Sequence, residues 1–258
     1  MVAQRSLASM PQCATQPYAQ PLRAFLAWSL CAIALAAYAG QAAGDAGRIE
    51  QLSGTLSVKD ADGKIRILSR KSVIRPGDTL NTERDSYAQI EFADGGRVTL
   101  KPNTTVRLDQ FKFTQEKPKE DSFVYSLLRG GLRAVTGLLG QRSKEAYELK
   151  TATATVGIRG TTFSADDCTS DRTSQACSRL QAAVYVGVTD GEVVVRNGQG
   201  ELGVAAGQFG LIEREKRPLF LSTDPGLNFT PPASFIVSLA GRSALNTGRA
   251  LECVVGQR

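Results

Sequence analysis

The stretch that decides the fold is residues 150–163, KTATATVGIRGTTF. Its first part, residues 151–156, is small, rich in β-branched side chains and uncharged, which is typical of a tightly packed strand. The Gly-Ile-Arg-Gly run at 157–160 then places two glycines around an apolar and a basic residue, a spacing that predicts a sharp turn or a close backbone approach. We therefore expect a corner here that joins two β-rich halves of the chain.

Short alternating segments with turn signals lie on both sides of this stretch. Residues 88–92 and 98–100 alternate apolar and polar side chains around Asp94-Gly95-Gly96, which predicts a hairpin. Residues 183–188 and 192–197 surround Asp190-Gly191 in the same way and predict a second hairpin.

Two further segments need separate interpretation. Residues 122–140, with adjacent glycines at 130 and 131, are consistent with two strands that meet at a bend, and a helix over 122–129 is the alternative. Residues 165–178 are polar and predict an insert that carries Cys168 and Cys177.

Composition agrees with an all-β protein. The 258 residues are 42% apolar and include 25 glycines but only 7% aromatic residues, which suits one sizeable domain, or two small ones, with many turns. Without Arg5 and Arg23, which belong to the predicted signal segment, 29 basic residues stand against 25 acidic ones, a net charge of +4. The basic residues alternate with acids instead of forming a stripe, so nucleic acid is not an expected partner.

The chain contains no histidine. This excludes Ser-His-Asp and Cys-His nucleophile systems, His-ligated zinc and His-based acid/base catalysis. Ser143 and Lys144 are adjacent and do not have the spacing of a Ser-Lys pair. We expect no enzymatic activity, no cofactor and no metal site.

An uncharged apolar segment, residues 24–39, follows the basic residues Arg5 and Arg23. Sixteen residues are short for a membrane-spanning helix but fit the hydrophobic region of a secretory signal. Cleavage after Ala39 or after Ala43 fits, translation can begin at Met1 or Met10, and an uncleaved membrane anchor is the alternative. The expected location is the periplasm.

The predicted organisation has three parts. These are a signal peptide over 1–43, a β domain over 44–213, and a C-terminal extension over 214–258 that is rich in proline and then forms a short helix near 233–242.

Cys168 and Cys177 lie close together in sequence, and an exported chain meets an oxidising compartment, so we expect them to form a disulfide. Metal binding by the two thiols is the alternative, and Cys253 has no evident partner.

The glycine-rich corner allows two interpretations. Gly157, Arg159, Gly160 and Thr161 either form a structural corner or bind an anion through Arg159 and the glycine amides. The Asp-Gly turns at Asp62, Asp94 and Asp190 are expected to hold carboxylates that cap backbone amides.

Several of these motifs together resemble the FecR domain family. The matching elements are GDTLNT at 77–82, LRGGLRAVTG at 128–137, the stretch 150–163, VYVGVTDGEVVVRN at 184–197 and AAGQFGLI at 205–212. The resemblance spans about residues 48–213 and implies an all-β fold of short strands with solenoid-like or β-roll winding.

The resemblance also implies a role in envelope signalling. The family's namesake is a membrane-spanning regulator that controls a sigma factor, but residues 1–23 are too short to form its cytoplasmic segment. We therefore expect a stand-alone periplasmic sensor, adaptor or scaffold that binds an envelope protein. A carbohydrate- or peptidoglycan-binding module is the second interpretation, and a membrane-anchored regulator, which requires an uncleaved segment 24–39, is the third.

Overall fold

The computed structural model describes residues 44–143, 145–170 and 177–226. In that part of the chain one sheet contains 15 strands, and the all-β prediction is confirmed. The first eight strands are β1 (Gly47–Ser53), β2 (Leu56–Lys59), β3 (Ile65–Leu68), β4 (Val73–Ile74), β5 (Thr79–Thr82), β6 (Tyr87–Phe92), β7 (Arg97–Leu100) and β8 (Thr105–Lys112).

The remaining strands are β9 (Ser122–Val135), β10 (Tyr147–Lys150), β11 (Thr155–Asp167), β12 (Val184–Asn197), β13 (Gly200–Ala205), β14 (Phe209–Ile212) and β15 (Leu219–Leu221). One short α-helix, α1 (Leu138–Arg142), follows β9, and 3₁₀ turns occur at Pro118–Glu120 and Cys177–Arg179.

The strand order along the main path of the sheet is β15-β14-β12-β11-β10-β9-β7-β6-β1-β4. A branch runs β3-β2-β5-β8-β9, and β13 pairs with β12. Strands β9 and β10 are parallel, and the other pairs are antiparallel.

Three strands are long, although short strands were predicted throughout. Strands β9, β11 and β12 have 14, 13 and 14 residues, and each contains a glycine with positive φ, at Gly130, Gly160 and Gly191. At these points the strands change partners. The first half of β9 pairs with β8 and β10, and its second half pairs with β7 and β11.

The core explains why the long strands bend. One continuous cluster of buried side chains takes members from β1 through β14, so the sheet must curve around a single core. Its aromatic centre is formed by Phe92, Phe111, Phe123, Tyr125 and Tyr147, whose ring centroids lie 4.5–5.8 Å apart. The two β-rich halves expected from the sequence therefore share one core.

The structure corrects two local predictions. The hairpin around Asp94 is present as β6 and β7, but the second predicted hairpin is absent because β12 continues through Asp190 and Gly191 without reversing direction. The polar insert begins later than residue 165, because β11 extends to Asp167.

The predicted signal segment 1–43 and the predicted helix near 233–242 lie outside the described residues. The sheet extends beyond the predicted domain boundary at residue 213, because β15 pairs with β14 through Leu219, Phe220 and Leu221. No helix within the described residues has both the length and the apolar character needed to cross a membrane.

Candidate binding surfaces

The first residues of the 150–163 stretch form a turn, and the strand predicted over 151–156 begins only at Thr155. The Thr151 Oγ1 accepts hydrogen bonds from the amides of Thr153 and Ala154 at 3.3 and 3.0 Å, and the Thr151 amide donates to the Ala154 carbonyl at 2.8 Å. A threonine side chain that bonds its own backbone in this way competes with the sheet ladder.

The Gly157–Thr161 segment is a β-bulge and not a chain reversal. Between Arg159 and Thr162 the strand β11 advances three residues while β12 advances only two, from Glu192 to Asp190. Gly160 has a φ of +63° at this point. The corner is therefore a bend inside a continuous strand.

Thr161 anchors the bulge to the end of β9. Its amide donates to the Thr136 Oγ1 at 2.8 Å, and its carbonyl accepts from the Thr136 amide at 3.0 Å. Both residues are buried. This pairing supports the structural interpretation of Gly160 and Thr161.

Gly157 and Arg159 belong to a shallow groove on the outer face of the sheet. Gly157 lies opposite Glu148 of β10 and Val194 of β12, and Val194 lies opposite Gly203 of β13. Because the two glycines have no side chains, the surface is depressed along this row of cross-strand neighbours. The neighbouring rows carry charged side chains. The groove has a volume of about 480 Å³, and its lining residues are Glu145, Glu148, Gly157, Arg159, Val194 and Arg196.

The walls of the groove carry both positively and negatively charged side chains. Arg159 lies 3.8 Å from Glu192, and the Arg196 Nε lies 2.7 Å from Glu201, with all four side chains about half exposed. Solvent screens such exposed pairs, so they remain available to exchange partners with a ligand. The lining suits a polar ligand and offers no nucleophile paired with a base.

The Cys168–Cys177 disulfide is present, as predicted, with 5.1 Å between the two Cα atoms. Both sulfurs are buried in a small second cluster with Ala183, Tyr185 and Leu211. The disulfide closes the loop between β11 and β12. Cys253 lies outside the described residues.

Of the three predicted turn carboxylates, Asp94 caps backbone amides and is only 2% exposed. Its oxygens accept from the amides of Gly96 at 3.0 Å and Leu139 at 3.3 Å, which ties the β6–β7 turn to α1. Burial raises the pKa of Asp94, and these hydrogen bonds only partly oppose the rise. Asp190 lies within a strand, so its predicted turn is wrong.

The Asp62 turn uses a different carboxylate for capping. Asp60 Oδ1 accepts from the amides of Asp62 at 3.1 Å and Lys64 at 2.8 Å. The turn between β2 and β3 is present, and its capping residue lies two positions before the aspartate of the Asp-Gly pair.

Sequence reasoning missed two buried ion pairs. The Lys101 Nζ donates to both carboxylate oxygens of Asp166 at 2.8 Å, and burial raises the pKa of Asp166 although Lys101 opposes it. Arg142 binds both oxygens of the buried Asp121 at 2.8 and 2.9 Å. These partners lie 65 and 21 residues apart, and no local pattern links them.

Sequence reasoning also missed the orientation of β3. Ile65 and Ile67 are 70% and 68% exposed, whereas Arg66 between them turns inward and donates to the Val73 carbonyl at 3.3 Å. The Arg66 guanidinium also lies 3.9 Å from the buried Asp78. Simple alternation would place the isoleucines inside, whereas the buried apolar residue of this strand is Leu68, which shares a face with Arg66.

The described residues hold no group of three or more His, Cys, Asp or Glu side chains placed to bind a metal ion. The candidate surfaces of this part of the chain are therefore the charged groove and the sheet edges.

Comparison with solved structures finds low similarity. Two crystal structures from Parabacteroides distasonis, each described as a "putative anti-sigma factor", share 16% and 18% identity with TM-scores of 0.44 and 0.45. They cover 57% and 62% of this chain, and this chain spans 60% and 72% of theirs. A "Cell surface anchoring domain" shares 28% identity with a TM-score of 0.24 over 25% of this chain and 84% of its own. These scores are too low to support a functional inference.

No curated protein matches the chain. The family model described as "FecR protein" matches residues 78–194, from the start of β5 to the outer-face valine of the groove in β12. This range contains two of the five motifs on which the resemblance rests, at 128–137 and 150–163, and overlaps two more, at 77–82 and 184–197, whereas the motif at 205–212 lies beyond its end. The all-β fold agrees with the match. Residues 78–194 of this chain are therefore similar to the FecR domain.

Proposed function

We propose that this protein is an exported, non-catalytic FecR-domain protein that acts as a sensor, adaptor or scaffold by binding another protein of the cell envelope. The observation that carries the proposal is the exposed edge strand β3, which presents two isoleucines to solvent. An edge with exposed apolar side chains is a surface that proteins normally protect unless a partner covers it.

The disulfide supports the location. Disulfides persist in oxidising compartments such as the periplasm and are rare in the cytosol. Within this proposal, residues 1–43 are a signal peptide, 44–213 the main domain with its sheet continued by β15, and 214–258 an extension. Sequencing the mature N-terminus tests the export step: Gly40 or Gly44 as the first residue supports it, and an intact 24–39 segment favours the membrane-anchored regulator.

The binding function is tested by chemical cross-linking of the full chain in intact envelopes, followed by mass spectrometry that scores proteins and glycans separately. We expect one protein to recur in independent preparations. Recovery of cell-wall glycan with no recurring protein would contradict protein binding.

A second candidate function, binding of a cell-wall glycan, is favoured by the groove that Gly157 and Val194 line. A Cβ at Gly157 would meet no atom closer than 3.7 Å, so a side chain fits the fold there but fills the groove. If the groove binds glycan, Gly157→Val should abolish glycan recovery while the fold is retained. Unchanged recovery would exclude the groove.

A further inference from the structure

Strand β3 has one unpaired edge within the described residues, because it pairs only with β2. The hydrogen-bond pattern fixes which backbone groups face outward. The Asp60 amide bonds the Lys64 carbonyl, so in the antiparallel ladder the next bonded pairs are Val58–Arg66 and Leu56–Leu68. The Glu83 amide donates to the Thr55 carbonyl, so Ser57 and Lys59 of β2 bond to β5. This leaves Leu56 and Val58 to bond to β3, in agreement with the first assignment.

It follows that the amides and carbonyls of Ile65 and Ile67 point away from β2. The same two residues carry the exposed side chains, 70% and 68% accessible. Their cross-strand neighbours on this face are the polar residues Lys59 and Ser57. The isoleucines therefore form an isolated apolar pair directly beside two free donors and two free acceptors.

The surroundings of this edge are basic. Residues 59–75 contain six Lys or Arg and two Asp. Arg66 and Arg75 lie near Asp78 and Asp45, at 3.9 and 3.2 Å. Among the described residues no ion pair involves Lys59, Lys64 or Lys71, and all three are exposed. A second copy of this chain would bring the same positive charges together, so charge disfavours self-pairing through β3.

We propose that β3 is the docking edge, and that its partner is an extended acidic segment of another protein, which adds as a further strand. The inference rests on the proposed function and names its site and the chemistry of the partner. Backbone groups of the partner bond Ile65 and Ile67, its apolar side chains at alternate positions cover the two isoleucines, and its carboxylates meet Lys59, Lys64 and Lys71.

An anionic membrane surface also attracts apolar side chains surrounded by lysines. The outward backbone groups of Ile65 and Ile67 favour a strand instead, because acyl chains cannot satisfy them. The test must therefore distinguish lipid binding from the addition of a strand.

The test uses the full chain and a fluorescent peptide in which Glu and Val alternate over seven residues, with a Lys/Val peptide of the same length as the control. Fluorescence anisotropy should show at least tenfold tighter binding of the acidic peptide, weakened by added salt. Equal affinity for both peptides, or no binding of the acidic peptide, would overturn the proposal.

The key variant is Ile67→Pro, with Ile67→Val as its matched control. The Ile67 amide points outward, so proline removes a docking donor without removing a β2–β3 hydrogen bond. We expect at least tenfold weaker peptide binding for Ile67→Pro and nearly unchanged binding for Ile67→Val. Should Ile67→Pro fail to fold, Lys59→Glu combined with Lys64→Glu is expected to lower the affinity at least tenfold.

Two results separate this inference from the proposed function. If Ile67→Pro still captures the recurring envelope protein in cross-linking, the partner exists but β3 is not its docking edge. A flotation assay with anionic lipid vesicles tests the lipid alternative. If the protein binds the vesicles only when Ile65 and Ile67 are both present, and the acidic peptide does not compete, the surface binds lipid and the inference is wrong.

Discussion

At the scale of single residues, the bends in β11 and β12 depend on one close contact between Gly160 and Gly191. Gly191 has a φ of +79°, and a Cβ built there would lie 2.6 Å from the Gly160 carbonyl oxygen. The two bulges therefore touch, and position 191 must lack a side chain, whereas a Cβ at Gly160 would meet no atom closer than 3.9 Å.

We predict that Gly191→Val lowers the free energy of unfolding by about 1–3 kcal/mol or more, because it combines a disfavoured backbone conformation with a backbone clash. Gly157→Val is the matched control, since that position is extended and open, and it should change stability by about 0.5 kcal/mol or less. Denaturant unfolding measures both. Equal losses in the two variants would show that the bulge contact is unimportant.

Asp94 provides a pH-dependent prediction. Burial raises its pKa above the ordinary value of 3.8 in the folded protein, so its contribution to stability is full below the unfolded pKa and is lost as the pH rises through the folded pKa. The stability of the natural protein relative to Asp94→Asn should therefore fall as the pH is raised above 3.8. Melting temperatures measured across this range would contradict the account if the difference stayed flat or grew.

Asp121 should behave in the opposite way. Burial alone would raise its pKa, but the hydrogen bonds from Arg142 and Ser143 outweigh burial and lower the pKa below 3.8. Its contribution to stability is therefore present above the unfolded pKa and lost as the pH falls through the folded pKa. Relative to Asp121→Asn, the natural protein should lose stability on acidification, and thermal melts at pH 2–5 would show whether it does.

At the scale of elements, sequence patterns identified most strands but not their continuity. The turn signals at Asp94 and Asp190 look alike, yet only the first reverses the chain. Asp94 binds the amides of Gly96 and Leu139, whereas Gly191 faces the bulge at Gly160 and the strand continues. Because this difference lies in long-range partners, no local rule could have separated the two cases.

The disulfide could be predicted from the sequence, whereas the outward orientation of the isoleucines in β3 could not. Cys168 and Cys177 are close in sequence, so their pairing needs little knowledge of the fold. The exposure of Ile65 and Ile67 follows from the inward turn of Arg66 toward Asp78 and Val73, which depends on a neighbouring strand. Of the groove residues, the sequence singled out only Gly157 and Arg159, because the others come from β10, the turn before β10, and β12.

We predict that Cys168→Ser with Cys177→Ser destabilises the protein by about 2–3 kcal/mol, the chain-entropy value for a loop of this length. The natural protein treated with reductant should approach the melting temperature of the double variant. An unchanged melting temperature in both experiments would show that the loop constraint contributes nothing.

At the scale of the whole molecule, the long strands make one sheet out of what the sequence presents as two halves. β9, β11 and β12 each pair on both sides of their bends, and one core runs from β1 to β14. Among the described residues β3, β4, β13 and β15 each pair on one side only. The edge of β3, which carries the two most exposed large apolar side chains, is remote in sequence from the 150–163 stretch. We infer that the glycine-rich stretch shapes the fold and that β3 carries the binding function.

The most direct measurement places a photo-cross-linking amino acid at position 65 of the full chain in intact cells, with position 119, an exposed site in the 3₁₀ turn Pro118–Glu120, as the control. The account predicts a cross-link from position 65 to one recurring envelope protein through an acidic segment, and none to that protein from position 119. Equal cross-linking from both positions, or no protein partner at position 65, would contradict binding through this edge.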